Sequence, residues 1–334
     1  MEYMSDLTFW DYILAFAIFI VSFPLHIILH EVGHLIGGLL SGYQFIMFRL
    51  FNTVWIKTDA GLSKRKQVIQ GILGQALMAP PENVEEPPFL LYHSSGLIMN
   101  LLTAGLLIFL GIVSDSSSVS ILLYVSAFVA LLLFVMNSVP TKGNDGYNII
   151  EHYKRPETLK EFTNILYLYS GMVKGVPFVD LQKYIDTEQL DDFENPNTVT
   201  FISAQAAAYY EQENYEGARE RYALLWDNRE TLLELHKPEV YHNYLYTLLL
   251  TEPDHEDVEK VRATKVYKNY EQIKTADGLK VRAAEAVFLE NDVEKARALL
   301  AEGEPMIALA PTITEENAER QMYAYLKREM TKIE

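Results

Sequence analysis

The stretch "IILHEVGHLIGG", Ile27 to Gly38, holds two imidazoles and a carboxylate. On a helix, His30 and His34 are four residues apart, share one face and can grip a single metal ion. Glu31 is turned about 100° from His30, which makes it a candidate proton acceptor beside that ion. The chemistry on offer is metal-assisted hydrolysis. The plainer alternative is a helix whose polar residues pair with neighbouring helices. Ionisable groups inside an apolar span are rare and usually functional, which favours the first reading.

The elements that must position these residues are apolar. Of 334 residues, 49% are hydrophobic, but they are unevenly spread. Residues 1–150 carry 6 Lys and Arg against 10 Asp and Glu; residues 151–334 carry 22 against 35. An apolar first half is thus joined to an acidic second half, which phosphates would avoid, so nucleic acid is excluded as a partner. There is no cysteine, so disulfides and thiolate metal sites are excluded and any metal must sit on His, Asp or Glu. Three segments are long enough to cross about 30 Å of hydrocarbon: roughly Phe9 to Leu40, Phe89 to Val113 and Val119 to Val139. The first reads as one long helix, tilted or kinked near Pro24. The acidic start "MEYMSDLTFWD" lacks Lys and Arg and does not read as a signal peptide.

Charge sets the direction of the spans. Arg49, Lys57, Lys64, Arg65 and Lys66 lie between the first and second, none lies in the "SDSSS" link between the second and third, and Lys142, Lys154 and Arg155 follow the third. The positive-inside rule then puts the N-terminus outside and everything after the third span in the cytoplasm.

His-Glu-x-x-His is the zincin spacing, in which the glutamate does not bind zinc but holds the water and takes its proton. A catalytic zinc needs a third ligand and an open position, and "NSVPTKGNDGYNIIEHY" supplies a candidate in Asp145. At this point the sequence resembles the site-2 protease family of intramembrane zinc metalloproteases. That family pairs His-Glu-x-x-His with a later Asn-x-x-Pro-x-Pro-x-x-Asp-Gly, whose Asp is the third ligand. Asn137, Pro140, Asp145 and Gly146 match in register, while Lys142 replaces the second proline. Gly96 and Asn100, in "SSGLIMNLLTAG", resemble the Gly-x-x-x-Asn of the family's middle helix. The resemblance implies that Gly96 allows close helix contact and that Asn100 helps hold substrate or the developing oxyanion. Taken alone, that pair is a common packing device in membrane helices. The resemblance covers about residues 25–150.

The charge-derived topology brings these positions together without help from the family. His30 and His34, Gly96 and Asn100, and Asp145 all fall at the cytoplasmic side. His26, one turn before His30, and His93, near Gly96, are read as outer hydrogen-bonding or packing residues.

Residues 43–59, "YQFIMFRLFNTVWIKTD", are rich in aromatic and β-branched types and read as two strands with a turn near Asn52. The resemblance implies a membrane-embedded hairpin whose edge holds an unwound substrate. A plain interfacial hairpin anchored by Tyr43, Phe48 and Trp55 fits as well. The prolines of "GILGQALMAPPENVEEPP" break any helix before the second span, leaving a re-entrant or gating loop as one option.

From Pro156 onward the chain reads as successive helices. "YEGAR" (Tyr215–Arg219), "VEKVR" (Val258–Arg262) and "VEKAR" (Val293–Arg297) recur after helix-length segments and polar turns. The first and third share an upstream alanine, Ala208 and Ala286. This resembles tetratricopeptide helix-turn-helix repeats with irregular linkers; an irregular helical bundle is the alternative. The Tyr-rich "YHNYLYTLLL" reads as core.

The expected fold class is an α-helical membrane protein. About three transmembrane helices and a small β-hairpin (1–150) precede an all-α, tetratricopeptide-like cytoplasmic domain (156–334). The expected function is that of a zinc-dependent intramembrane endopeptidase, a metalloprotease with one catalytic zinc on His30, His34 and Asp145. Glu31 and Asn100 are its catalytic residues. Its substrates would be transmembrane proteins or membrane-anchored peptides, its location a bacterial plasma membrane, and the helical domain could carry a cytosolic protein partner. The rival readings are a non-catalytic membrane receptor that recruits such a partner, and an interfacial peptidase acting on soluble peptides.

Overall fold

The structure, a computed structural model, describes residues 8–58, 61–66, 73–81, 84, 87–141, 143–186, 190–271 and 273–333. They divide into two compact units. One lies within Met1–Lys57, Leu62–Lys64 and Gly71–Leu166, the other within Thr58–Gly61, Arg65–Gln70 and Tyr167–Glu334.

In the first unit, three helices among the described residues are long and apolar enough to cross a membrane: α1 (Phe9–Leu40), α2 (Phe89–Val113) and α3 (Ser117–Ser138). α1 is one continuous helix that passes through Pro24. Thr8 and Asp11 cap its start, the Thr8 amide donating to Asp11 Oδ2 at 2.7 Å. The sides of these helices are sorted unusually. The buried stripe of α1 is Ser22, His26, Ile27, His30, Glu31, Gly33, His34, Gly37 and Gly38, while Phe16, Ile20, Val21, Leu25, Ile36 and Leu39 are exposed. α2 buries Tyr92, His93, Ser95, Gly96, Asn100, Ala104 and Gly111 and exposes leucines and Phe109. Small and polar residues face the helix contacts and large apolar ones face out, the arrangement expected where the surroundings are themselves apolar.

Between α1 and α2 lies an antiparallel sheet of order β3-β2-β1-β4, made by β1 (Gln44–Leu50), β2 (Thr53–Thr58), β3 (Gly61–Lys66) and β4 (Gly74–Ala79). The β1–β2 hairpin is the one read from residues 43–59. It turns at Phe51 and Asn52, with Phe51 at φ +49°; Asp59 lies outside the described residues. The sheet is larger than that hairpin. "GQALMA", within the segment read as a loop, is a strand paired with β1, Phe48 opposite Ala76. Its Ala, Leu, Met and Gln carry little intrinsic strand preference, so the pairing with β1 decides its conformation. Of the rest of that segment, residues 71, 72, 82, 83, 85 and 86 lie outside the described residues. Arg49, counted above as a loop charge, is buried within β1.

After α3 the chain turns into α4 (Asp145–Lys154) and α5 (Pro156–Lys174). Asn144 caps α4 by accepting from the Tyr147 amide at 2.9 Å, and its side-chain amide donates to the Val139 carbonyl at 2.6 Å and the Met136 carbonyl at 3.1 Å. One side chain thus pins the start of α4 to the end of α3.

The second unit continues with α6 (Gln182–Ile185), α7 (Pro196–Glu211), α8 (Tyr215–Asp227), α9 (Lys237–Thr251), α10 (Glu256–Ala263), α11 (Lys265–Glu271), α12 (Ala276–Phe288), α13 (Val293–Gly303) and α14 (Ile313–Ile333). The three recurring motifs fall on α8, α10 and α13, each the second helix of a helix-turn-helix pair. Their equivalent residues Ala218, Val261 and Ala296 are fully buried, as are the upstream Ala208 and Ala286. Tyr241, Tyr244 and Tyr246 of α9 are core. At the centre, the Lys280 side chain is fully enclosed, with Nζ 2.9 Å from Glu319 Oε2, 3.0 Å from Asp277 Oδ1 and 4.8 Å from the Tyr246 ring centre. Burial would lower its affinity for a proton, but Glu319 and Asp277 outweigh that and hold Lys280 above its ordinary value. Lys280→Ala leaves two carboxylates without their cation and is expected to destabilise this unit by about 3–5 kcal/mol, read as a fall in unfolding temperature.

Candidate metal centre

Each group at the site is set by a different element. His30, Glu31 and His34 lie on the buried stripe of α1, Gly96 and Asn100 on that of α2, and Asp145 in the first turn of α4. The donor atoms of His30, His34 and Asp145 lie within 4.8 Å of one another. Asp145 Oδ2 is 3.0 Å from His30 Nε2 and 3.2 Å from His34 Nε2, and the two Nε2 atoms are 3.1 Å apart. Their side chains are at most 12% exposed, so three ligand atoms converge on one point largely shielded from solvent.

The outer contacts prepare these atoms for a cation. His34 Nδ1 donates to the Tyr92 carbonyl at 2.8 Å. A carbonyl only accepts, so the proton sits on Nδ1 and the Nε2 lone pair of the neutral ring is free. Asn100 is fully buried, with its amide nitrogen 3.2 Å from His30 Nδ1 and its Oδ1 without a hydrogen-bond partner. A half-turn of that amide would set the oxygen against an Nδ1–H of His30 and free Nε2 there as well. Both imidazoles can therefore offer Nε2, and with one carboxylate the set is the His/His/Asp chemistry that suits zinc. Burial works against ionised Asp145. When His34 carries a second proton, its charge, with the hydrogen bonds from His30 and His34 and the nearness of His93, more than offsets this and holds the carboxyl well below its usual range; a cation bound by the neutral rings would take over that role.

Glu31 is buried on the same face. Its Oε2 accepts from the Ala76 amide of β4 at 2.7 Å. It stands next to the cluster and is not one of the three convergent donors.

Gly96 explains the closeness of α1 and α2. A methyl group at position 96 would lie 2.5 Å from His34 Nε2 and 2.8 Å from His30 Nε2. Gly146 has the same function under α4, where a side chain would strike the Ser138 carbonyl. Asn137 donates to the Leu133 carbonyl at 3.0 Å within its own helix and does not approach the metal donors as a ligand. Lys142, which stands in place of the second proline, lies outside the described residues.

The two remaining histidines separate. His26 Nε2 is 3.1 Å from Ser126 Oγ, which also bonds Ser22, so His26 ties α1 to α3. His93 is buried with Nδ1 3.8 Å from Asp145 Oδ1, the carboxylate oxygen that does not meet His30 and His34. Its ring packs on Phe162 and on His152, whose burial, with the charge of His93, pushes its own ring down to about 4 and keeps it neutral. The sequence reading missed the Tyr92 carbonyl, the Ala76 amide and Asn144. The first two are backbone groups that every residue carries. Asn144 had a readable signal, an Asn immediately before a helix.

No protein-family model matches the chain, and no curated protein or solved structure matches it either.

The Gly96→Ala variant is expected to lose the capacity of this cluster to take up a divalent metal ion, because a methyl group there would lie against the two donor nitrogens. Metal uptake per chain, measured by elemental analysis after incubation with a divalent cation, should fall well below that of the wild type.

Proposed function

We propose that the chain is a zinc-dependent intramembrane endopeptidase of the site-2 protease type. The observation that carries this reading is the convergence of His30, His34 and Asp145 with Glu31 beside them, on helices whose outer faces are apolar. His30 and His34 would hold zinc through Nε2 and Asp145 through Oδ2. When bound, zinc supplies Lewis acidity toward water and the scissile carbonyl.

The chain's own residues do the rest. Glu31 accepts the proton of the attacking water and delivers it to the leaving amine. Asn100, next to His30, can turn its amide N–H toward substrate once its oxygen faces that ring. The apolar residues outside the site limit entry of bulk water. The peptide bond must arrive extended, since a helix hides its amides in its own hydrogen bonds. The helical second unit would face the cytoplasm and could receive a protein partner.

The test uses a single-span Leu/Ala peptide interrupted by a Gly-Ser pair, in phosphatidylethanolamine–phosphatidylglycerol vesicles. The Glu31→Gln variant should keep one zinc per chain and lose cleavage by at least ~100-fold. Full activity in that variant would sink the mechanism, and a wild-type protein that folds without zinc would favour a non-catalytic receptor.

A further inference from the structure

β4 is an edge strand, paired with β1 on one side only among the described residues. An edge normally leaves a row of backbone N–H and C=O groups open. At Ala76 both groups are taken by side chains of the site helices. The amide donates to Glu31 Oε2 at 2.7 Å, and the carbonyl accepts from the Tyr92 hydroxyl at 2.9 Å. β4 also lies directly on α1, since a methyl group at Gly74 would come within 2.9 Å of Glu31 Cγ and 2.7 Å of Ile27 Cγ2.

Tyr92 connects the two halves of the site. Its hydroxyl grips the strand that holds Glu31, and its own carbonyl accepts from His34 Nδ1 and from Ser95 Oγ, each at 2.8 Å. The ring is fixed by stacking on buried Tyr43, centres 4.9 Å apart and planes at 14°. Packing alone would not require the hydroxyl to bond to a strand edge, and a phenylalanine would fill the same space.

We propose that Tyr92 is a positioning residue for the hydrolysis, acting through β4. Its hydroxyl sets the strand so that the Ala76 amide fixes Glu31 Oε2 and leaves Oε1 to take the proton from water. This rests on the reading of the site as a hydrolytic metal centre. A carboxylate held by one oxygen keeps its orientation without losing its second acceptor, and loose placement of a catalytic group costs rate rather than substrate binding.

Three variants of the full chain test it. Tyr92→Phe removes only the hydroxyl and keeps the carbonyl that His34 uses. Ala76→Pro removes the amide N–H that holds Glu31, a group given to that carboxylate and not to β1, and sets a ring carbon in its place. Ala76→Gly keeps that N–H. With the Leu/Ala peptide in vesicles, Tyr92→Phe and Ala76→Pro should lower kcat on the order of 10-fold or more, with KM and zinc content unchanged, and Ala76→Gly should stay near wild type. A second readout needs no substrate. In the infrared spectrum of protein labelled with ¹³C-glutamate, the carboxylate band that disappears in Glu31→Gln should shift in Tyr92→Phe and Ala76→Pro but not in Ala76→Gly. Wild-type kcat and an unshifted band in both Tyr92→Phe and Ala76→Pro overturn the proposal, and so does a loss confined to zinc content or KM. Those results leave the hydrolase reading standing, which fails separately if Glu31→Gln is active.

Discussion

Placing His30, His34 and His93 with Glu31 and Asp145 against apolar helices is the constraint on which the rest of the first unit depends. An isolated ionised group there costs several kcal/mol unless it is paired or bound to a cation. Here Asp145 faces His30 and His34 on one oxygen and His93 on the other, and Glu31 has the Ala76 amide. No single helix can satisfy these groups, since they come from α1, α2, α4 and β4. The polar cluster therefore specifies how the helices meet, and the large apolar side chains are left for the outer faces.

That assembly requires close approach. Gly96 lets the α2 backbone lie against the rings of His30 and His34, and Gly146 lets α4 sit on the last carbonyls of α3. Asn144 then fixes the angle at which α4 returns, through bonds to Val139 and Met136. Asp145 is 111 residues beyond His34 in the chain, yet its placement depends on one capping side chain and one glycine. The second unit solves a similar problem differently. Lys280 is enclosed between two carboxylates and a tyrosine face, joining α9, α12 and α14.

Much of the candidate site was legible in the sequence because its residue types are out of place. His30, Glu31 and His34 stand out in an apolar span, and so does Asn100, whereas Asp145, in a polar turn after the third span, was picked out by the motif it resembles. The three long helices were readable from composition, and the repeated Tyr/Val-Glu motifs marked the second helices of pairs whose equivalent residues are buried. β4 was not readable, because its side chains favour helix and only the β1 pairing makes it a strand. The Tyr92 carbonyl and Ala76 amide leave no mark in side-chain chemistry. Lys280 was hidden for another reason: a lysine in a charged helical region reads as surface, and only the folded arrangement reveals it as core.

We propose that His30, His34 and Asp145 hold one zinc between these helices. Zinc-edge X-ray absorption of the wild-type protein in lipid vesicles tests it most directly. One zinc per chain is expected, with a shell of light atoms near ~2.0–2.1 Å, outer scattering from two imidazoles, and loss of that spectrum in Asp145→Ala. A zinc shell without imidazole scattering, or one unchanged in Asp145→Ala, would contradict it.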